Sequence, residues 1–275
     1  MTTPRLSVVI PTRNEAANIA ACVRSFGEGI ASGAIEVIVV DNGSTDETVA
    51  LATACGASVC SCGPERCAQR NFGWRRARGP WVLILDADMI LPTETLAEIM
   101  TRISSADSTV AAWWIPEVRQ GAGFRVKVRN FERSFYDGTC IDALRLFRWD
   151  ILERTGGYDE SIPPGGEDWE LDIRVLDLGV RCAVLGRPLI HNERQLTLRR
   201  MLEKKAYYSA GMSVYRKKWA GHPSVKRQFS PLYRFVGVFV ERGKWRKVVR
   251  HPILFGCVMF ERFAVGLTYL LNRGK

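Results

Sequence analysis

The residues best suited to chemistry are two aspartates separated by one residue, Asp86 and Asp88, which follow the apolar run Trp81 to Leu85. An acid pair often does no more than cap a strand or a helix. At the end of a buried strand, however, both carboxylates face one opening and can hold a hard divalent cation that also grips a diphosphate. Three further polar clusters close apolar stretches: Pro11-Thr12-Arg13-Asn14-Glu15, Asp41-Asn42-Gly43-Ser44, and a segment read as a loop through Arg66 to Asn71. In an open α/β sheet ligands bind beyond the carboxyl ends of the strands, so these clusters are expected to converge on one crevice. Glu167, Asp168 and Trp169 follow the Pro163-Pro164-Gly165-Gly166 loop, where acids can act chemically or merely complement a helix dipole. His191 follows Leu189-Ile190 and serves either as a ligand or as a structural residue, whereas His222 and His251 each precede a proline and read as turn residues.

Positioning such groups requires strands alternating with helices. Leu6 to Ile10 and Glu36 to Val40 are short β-rich runs closed by Pro11 and by Asp41-Asn42-Gly43. Between them, Ile19, Val23 and Phe26 share one face of a helix predicted over roughly Ala16 to Phe26. Strand, helix and strand within about 35 residues read as a βαβ unit with a parallel sheet. A second helix is predicted from about Thr45, then a strand at Ser58-Val59-Cys60 and a fourth at Trp81 to Leu85. Later elements are a strand at Ala143 to Phe147, a turn at Gly156-Gly157-Tyr158, a helix over Gly165 to Leu178 and a strand at Cys182 to Leu185. The fold class is therefore α/β, with a nucleotide-binding type of domain in the first hundred residues.

The segments SVVIPTRNEAANI, VIVVDNGSTDET, AQRNFGWRRARG and WVLILDADM, in this order and spacing, resemble an inverting glycosyltransferase of family 2, of bacterial surface-polysaccharide type, with the GT-A fold. The likeness continues through Gly157-Tyr158-Asp159-Glu160 and Gly166-Glu167-Asp168-Trp169-Glu170-Leu171 and fades after about residue 205. It implies a nucleotide-diphosphate sugar as donor, a UDP-sugar favoured, and Mg²⁺ or Mn²⁺ as cofactor. Pro11, Thr12, Arg13, Glu15, Asp41, Arg70 and Asp86 would bind the donor nucleotide, Asp41 and Arg70 at the base. The alternative for Arg70 is a solvated surface charge. Asp88 and His191 would serve the metal, Asp168 would be the general base, and Glu167 and Trp169 would contact acceptor or sugar. The leaving diphosphate accumulates negative charge, which a metal at Asp88 would stabilise.

A chain of 275 residues, 47% hydrophobic and 25% charged, can bury a substantial core and is neither disordered, collagen-like nor a coiled coil. No secretory segment or span is read at the first residues, so a cytoplasmic location is the expectation. Cys55, Cys60, Cys62 and Cys67 cluster without a CxxC pair and read as small buried hydrophobes rather than a zinc site. Net charge is +10, and from Arg181 to Lys275 there are 21 Lys/Arg against 4 Asp/Glu, so an acidic body carries a basic tail. Within that tail Arg199 to Trp219 reads as a basic amphipathic helix, with Met201, Leu202, Tyr208, Met212 and Tyr215 opposite Arg200, Lys204, Lys205 and Arg216 to Lys218. Ile253 to Leu271 is apolar apart from Glu261, Arg262 and Thr268. The central Glu-Arg makes a simple span costly and favours an interfacial helix or one packed on the domain.

Residues 1–195 are thus expected to form the catalytic domain, 1–100 binding nucleotide and 101–195 acceptor, with 196–275 a helical, membrane-associating region. The expected partners are the donor, a lipid-linked glycan acceptor and an anionic membrane surface at the inner face of the cell membrane, not nucleic acid. Trp113, Trp114, Phe124, Phe131, Phe135 and Tyr136 either stack on sugar or pack. Two other readings compete. A nucleotidyltransferase would need a glycine- and basic-rich loop where Pro11 to Glu15 stands. A non-catalytic basic module would have lost one of Asp41, Asp86, Asp88 and Asp168, and all four are present.

Overall fold

In the computed structural model, which describes residues 3–105, 109–192 and 198–272, the alternating pattern becomes a three-layer sandwich. The strands are β1 (Leu6–Thr12), β2 (Ile35–Asp41), β3 (Ser58–Ser61), β4 (Trp81–Ile84), β5 (Met89–Ile90), β6 (Val110–Trp114), β7 (Glu117–Arg119), β8 (Leu144–Arg148), β9 (Arg181–Val184) and β10 (Leu189–His191). Helices α1 (Ile19–Arg24), α2 (Gly27–Ala31), α3 (Thr48–Ala54), α4 (Arg66–Arg76) and α5 (Thr93–Ser104) fall in the first half. They are followed by α6 (Phe124–Arg133), α7 (Trp149–Thr155), α8 (Glu167–Asp177), α9 (Leu198–Lys218) and α10 (Pro223–Gln228). A π-helical turn, Tyr233–Gly237, then leads through α11 (Val238–Val240) and α12 (Trp245–Arg250) to α13 (Pro252–Asn272).

The main sheet has the order β3-β2-β1-β4-β8-β6-β9. β3, β2, β1 and β4 are mutually parallel, whereas β8 runs antiparallel to both β4 and β6. Successive side chains of a strand leave opposite faces, and here both faces are covered. Leu6, Val8 and Ile10 join Val23 and Phe26, with Ile99 of α5, on one side. Val9, Val40 and Ile84 join Trp74 of α4, Ile151 of α7 and Leu171 of α8 on the other. Trp113, Trp114, Phe131 and Phe135 are buried in these cores or in a third, so they pack, while Phe124 is exposed.

One expected loop is a helix. Arg66 to Asn71 lies in α4, whose Gly73 packs so closely on β1 that an added Cβ would sit 2.3 Å from Val9. The polar residues that made this stretch look like a loop are those it turns toward the strand ends: Gln69 donates to the carbonyls of Thr12 (2.9 Å) and Val40 (2.6 Å).

A second sheet of three short strands, β5-β10-β7, lies beyond the end of β4. β10 pairs antiparallel with β5, placing His191 opposite Met89, and parallel with β7, placing it opposite Arg119.

The C-terminal helices close on the other end of the cleft. Tyr215 of α9 is fully buried against Ile173 of α8 and Val225 of α10 and donates to Gln228. Several side chains placed on the amphipathic pattern of this helix, Arg200, Met201, Leu202, Lys204 and Lys205, lie outside the residues whose side chains are described. α13 packs on α6, and its charged pair faces that helix: Arg262 donates to Glu132 at 2.9 Å, and Glu261 lies 3.7 Å from Arg129. Among the described residues no helix is long and apolar enough to cross a membrane.

Candidate active site

The strand ends meet at a cleft of about 720 Å³ lined by Pro11, Thr12, Arg13, Glu15, Asp86, Asp88, Glu167, Asp168, Trp169 and His191. Thr12 ends β1 in register with Asp41 at the end of β2. Asp41 is buried and accepts from the backbone N–H of Ser44 at 2.8 Å and from the Ser44 hydroxyl. The Thr12 hydroxyl is buried with no hydrogen-bond partner. Arg13 is exposed, and Glu15 accepts from Asn18 at 2.7 Å.

Arg70 is 1% exposed, which excludes the solvated-surface alternative. Its guanidinium forks between the two key carboxylates, donating to Asp168 at 2.8 Å and to Asp86 at 2.9 Å, with Tyr158 stacked on it at 4.9 Å. A planar fork suits this bridging role in a way a lysine ammonium would not. The arrangement continues inward as Arg145 pairs with Asp86 at 3.7 Å and with Glu117 at 2.6 Å, while Arg133 pairs with Glu117 at 2.9 Å and Asp142 at 3.5 Å.

Buried charges of both signs set the titration of the site. Burial opposes ionisation of Asp86, yet Arg70, Arg145 and Arg66 hold its carboxyl far below the usual aspartate range. Asp168 goes the other way: burial, aided by the neighbouring Glu167 charge, lifts it above the usual range against the pull of Arg70. Glu167 is held low, since Arg66 and Arg70 outweigh its burial. Its carboxylate pairs with Arg66 at 2.6 Å and accepts from the backbone N–H groups of Gly165 (2.6 Å) and Gly166 (2.9 Å). Trp169 lines the cleft while packing edge-on against Tyr215 and Phe229.

The small sheet brings His191 to the acid pair, with Nε2 3.1 Å from Asp88 Oδ2 and Nδ1 3.8 Å from Glu117. Burial works against its charged form, but hydrogen bonds to the two carboxylates raise its pKa to about 9. Asp88 and His191 face the same opening, and the imidazole must give up the proton held by this pairing before its nitrogen can join an Asp88 oxygen in holding an ion. Among the described residues no three His, Cys, Asp or Glu side chains are grouped to hold an ion by themselves. This donor set fits a hard cation that takes its remaining ligands from phosphate and water.

Arg145, Glu117, Arg133 and Asp142 were missed by sequence reasoning. The available signal was Arg145, a lone charge inside the apolar strand Leu144-Arg145-Leu146-Phe147, since a buried arginine demands carboxylate partners. Two recognised motifs also prove to be one unit. Asn71 of α4 donates to the Tyr158 carbonyl (2.8 Å) and to Glu160 (2.7 Å) and accepts from the Tyr158 N–H (2.8 Å).

Carboxylates beyond the ends of parallel strands, beside a second wall carrying an acid over the same cleft, are the arrangement of a group-transferring enzyme of the GT-A type. The Glycosyl transferase family 2 model matches residues 7–158, and the chain belongs to that family. It is 34% identical over 190 residues to a PGL/p-HBAD biosynthesis glycosyltransferase of Mycobacterium bovis, covering 63% of this chain and 70% of that one. Among solved structures, the mannosyltransferase PcManGT of Pyrobaculum calidifontis, in complex with GDP-Man and Mn²⁺, matches with a TM-score of 0.57 at 20% identity, over 100% of this chain and 80% of its own. Glucosyl-3-phosphoglycerate synthase of Mycobacterium tuberculosis, solved with Mn²⁺, UDP and glucosyl-3-phosphoglycerate, matches with a TM-score of 0.55 at 20% identity, over 78% and 80% of the two chains. The fold is GT-A, and the protein is a glycosyltransferase.

Proposed function

We propose that this glycosyltransferase moves a sugar from a nucleotide diphosphate, UDP favoured, to an acceptor hydroxyl with inversion at the anomeric carbon. The observation that carries the reading is the pairing of Asp168 and Asp86 through one buried guanidinium, 2.8 and 2.9 Å away, across a single cleft. That arrangement gives the cleft one wall for the leaving group and one for the attacking group. Pro11, Thr12, Arg13 and Glu15 line the nucleoside side, Asp41 closes the neighbouring strand opposite Thr12, and Arg70 supports that side from beneath through Asp86. Asp88 and His191 would hold Mg²⁺ or Mn²⁺, which when bound supplies charge neutralisation for the departing diphosphate.

Asp168 takes the proton of the acceptor hydroxyl as its oxygen bonds to the anomeric carbon and the bond to the diphosphate breaks. A carboxylate whose pKa is raised above the ordinary range is a stronger base than a free aspartate. Glu167, its own carboxylate occupied by Arg66 and two backbone donors, holds the loop before Asp168 and shapes the acceptor side together with Trp169. The acceptor is a lipid-linked glycan of cell-surface polysaccharide assembly, met at the inner face of the cell membrane. The strongly basic residues 181–275 support this.

The test uses Asp168→Asn. Transfer is expected to fall by roughly 10²- to 10⁴-fold, the usual contribution of a positioned base, with nucleotide affinity retained. The wild-type product should carry the anomeric configuration opposite to the donor's by NMR. Retained configuration, or an Asn variant of near wild-type rate, would contradict the reading.

A further inference from the structure

We infer that the outer face of α13, continued by α12, is the surface on which the enzyme docks to an anionic lipid bilayer. This rests on the membrane-bound acceptor proposed above and assigns the face that meets it. α13 is apolar on two sides. Val258 is 1% exposed and faces α6, and the charged Glu261 and Arg262 are spent on that side in pairing with Arg129 and Glu132. At about 100° per residue, Ile253, Gly256, Phe260 and Phe263 lie roughly 140–160° around the helix from Val258. These positions are exposed, Ile253 at 73%, Phe260 at 74% and Phe263 at 65%. The charges that argued against this helix entering a membrane are therefore the ones that fasten it to the domain, and its free side carries none among the described residues.

The stripe is part of a wider surface. Phe263 touches Phe235 with ring centroids 5.1 Å apart, and the adjoining π turn and α11 expose Val236 and Val240. On α12, which only His251 separates from α13, Val249 is 69% and Trp245 49% exposed. Arg246 and Arg250 stand exposed on the same helix, and among the described residues no carboxylate pairs with either. Apolar side chains including tryptophan, rimmed by unpaired arginines, match the boundary between acyl chains and anionic headgroups. A purely apolar rim would fit a second protein copy as well. Unneutralised guanidinium groups of one sign would repel each other across a two-fold contact.

The surface is also tied to the cleft. α6 lies beneath α13 and ends in Arg133, which lines the cleft wall. Lys244 donates to the carbonyls of Phe135 (2.7 Å) and Asp137 (3.2 Å), and Lys247 to that of Ser134 (3.0 Å), so α12 is fixed to the segment leading to Ile141 and Asp142 at the same wall. Docking by this face holds the second wall, not the nucleotide wall, beside the bilayer.

The experiment is vesicle flotation of the full chain with phosphatidylcholine alone and with phosphatidylcholine mixed with phosphatidylglycerol. Wild type, Phe260→Asp and the Arg246→Ser/Arg250→Ser double variant are compared, and metal-dependent UDP and GDP binding and thermal midpoint are measured on each. The wild type is expected to float with the anionic vesicles, Phe260→Asp to lose about tenfold or more of its partitioning, and the arginine variant about fivefold per cation removed, with nucleotide binding and midpoint unchanged. Flotation of both variants at the wild-type level overturns the inference. So does absence of wild-type flotation with a dimer in sedimentation that Phe260→Asp dissolves, since the face is then a contact between copies. Loss of nucleotide binding in the wild type would instead strike at the transferase reading and leaves the flotation result to be judged by itself.

Discussion

Replacing Arg70 with methionine keeps most of its length and apolar volume and removes only the guanidinium, so the change isolates the charge at the centre of the site. Two carboxylates then lose a hydrogen-bonded partner at 2.8 and 2.9 Å. Breaking a buried ion pair from one side costs about 3–5 kcal/mol. The carboxylates here are 31% and 28% exposed, so water recovers part of that, and Arg145 still lies 3.7 Å from Asp86. The expected loss is about 2–4 kcal/mol, or roughly 5–10 °C in thermal midpoint for a chain of this size. Its pH dependence has a definite sign. Asp86 titrates below its ordinary value of 3.8 in the folded protein, so its ion pairs contribute stability that is fully present above that pH and is lost as pH falls toward the lowered value. The gap between wild type and Arg70→Met should therefore be widest near neutrality and narrow on acidification below about pH 4. Differential scanning calorimetry at a series of pH values measures it. A variant melting within about 1 °C of wild type at neutral pH, or a gap that widens in acid, would refute the reasoning.

Two adjacent glycines and the proposed base give further tests. An added Cβ at Gly157, whose φ is 78°, would lie 2.3 Å from Trp74 Nε1 and 2.4 Å from Asn71 Oδ1, whereas at Gly156, with φ of 77°, it would meet nothing within 4 Å. Gly156→Ala should thus cost about 1 kcal/mol of backbone strain and Gly157→Ala about 3 kcal/mol or more by chemical denaturation; equal costs would mean that the two motifs do not interlock as described. In the pH profile of kcat/KM, activity should fall on the acid side through a pKa above the ordinary aspartate value of 3.8, since Asp168 must be deprotonated to act. That limb should be missing from the residual activity of Asp168→Asn.

What could be read from the residues follows from how each element is covered. β1, β2 and β4 are enclosed on both faces, so their sequences are nearly continuous apolar runs and stand out. α4 was hidden because its Arg66, Gln69, Arg70 and Asn71 serve the cleft and the neighbouring loops rather than a core, which breaks the helical period. β5, β7 and β10 have two or three residues each, too few for any period to register, yet they are what brings His191 to Asp88. The acids at the strand ends were legible as candidates by position. The arginines that join them were not, because charge pairing between residues such as Arg70 and Asp168, 98 positions apart, leaves no mark on local pattern. Glu261 and Arg262 carried a local signal that pointed outward, to the cost of crossing a bilayer, while their partners lie inward on α6.

The central claim is that Asp88, beside His191, completes a metal-assisted site for a nucleotide diphosphate. Its most direct test is isothermal titration of UDP and GDP into the wild type and Asp88→Ala, each with and without Mn²⁺. The account predicts binding of one nucleotide that requires both the metal and Asp88. Nucleotide binding that is indifferent to Mn²⁺, or that Asp88→Ala retains in full, would contradict it.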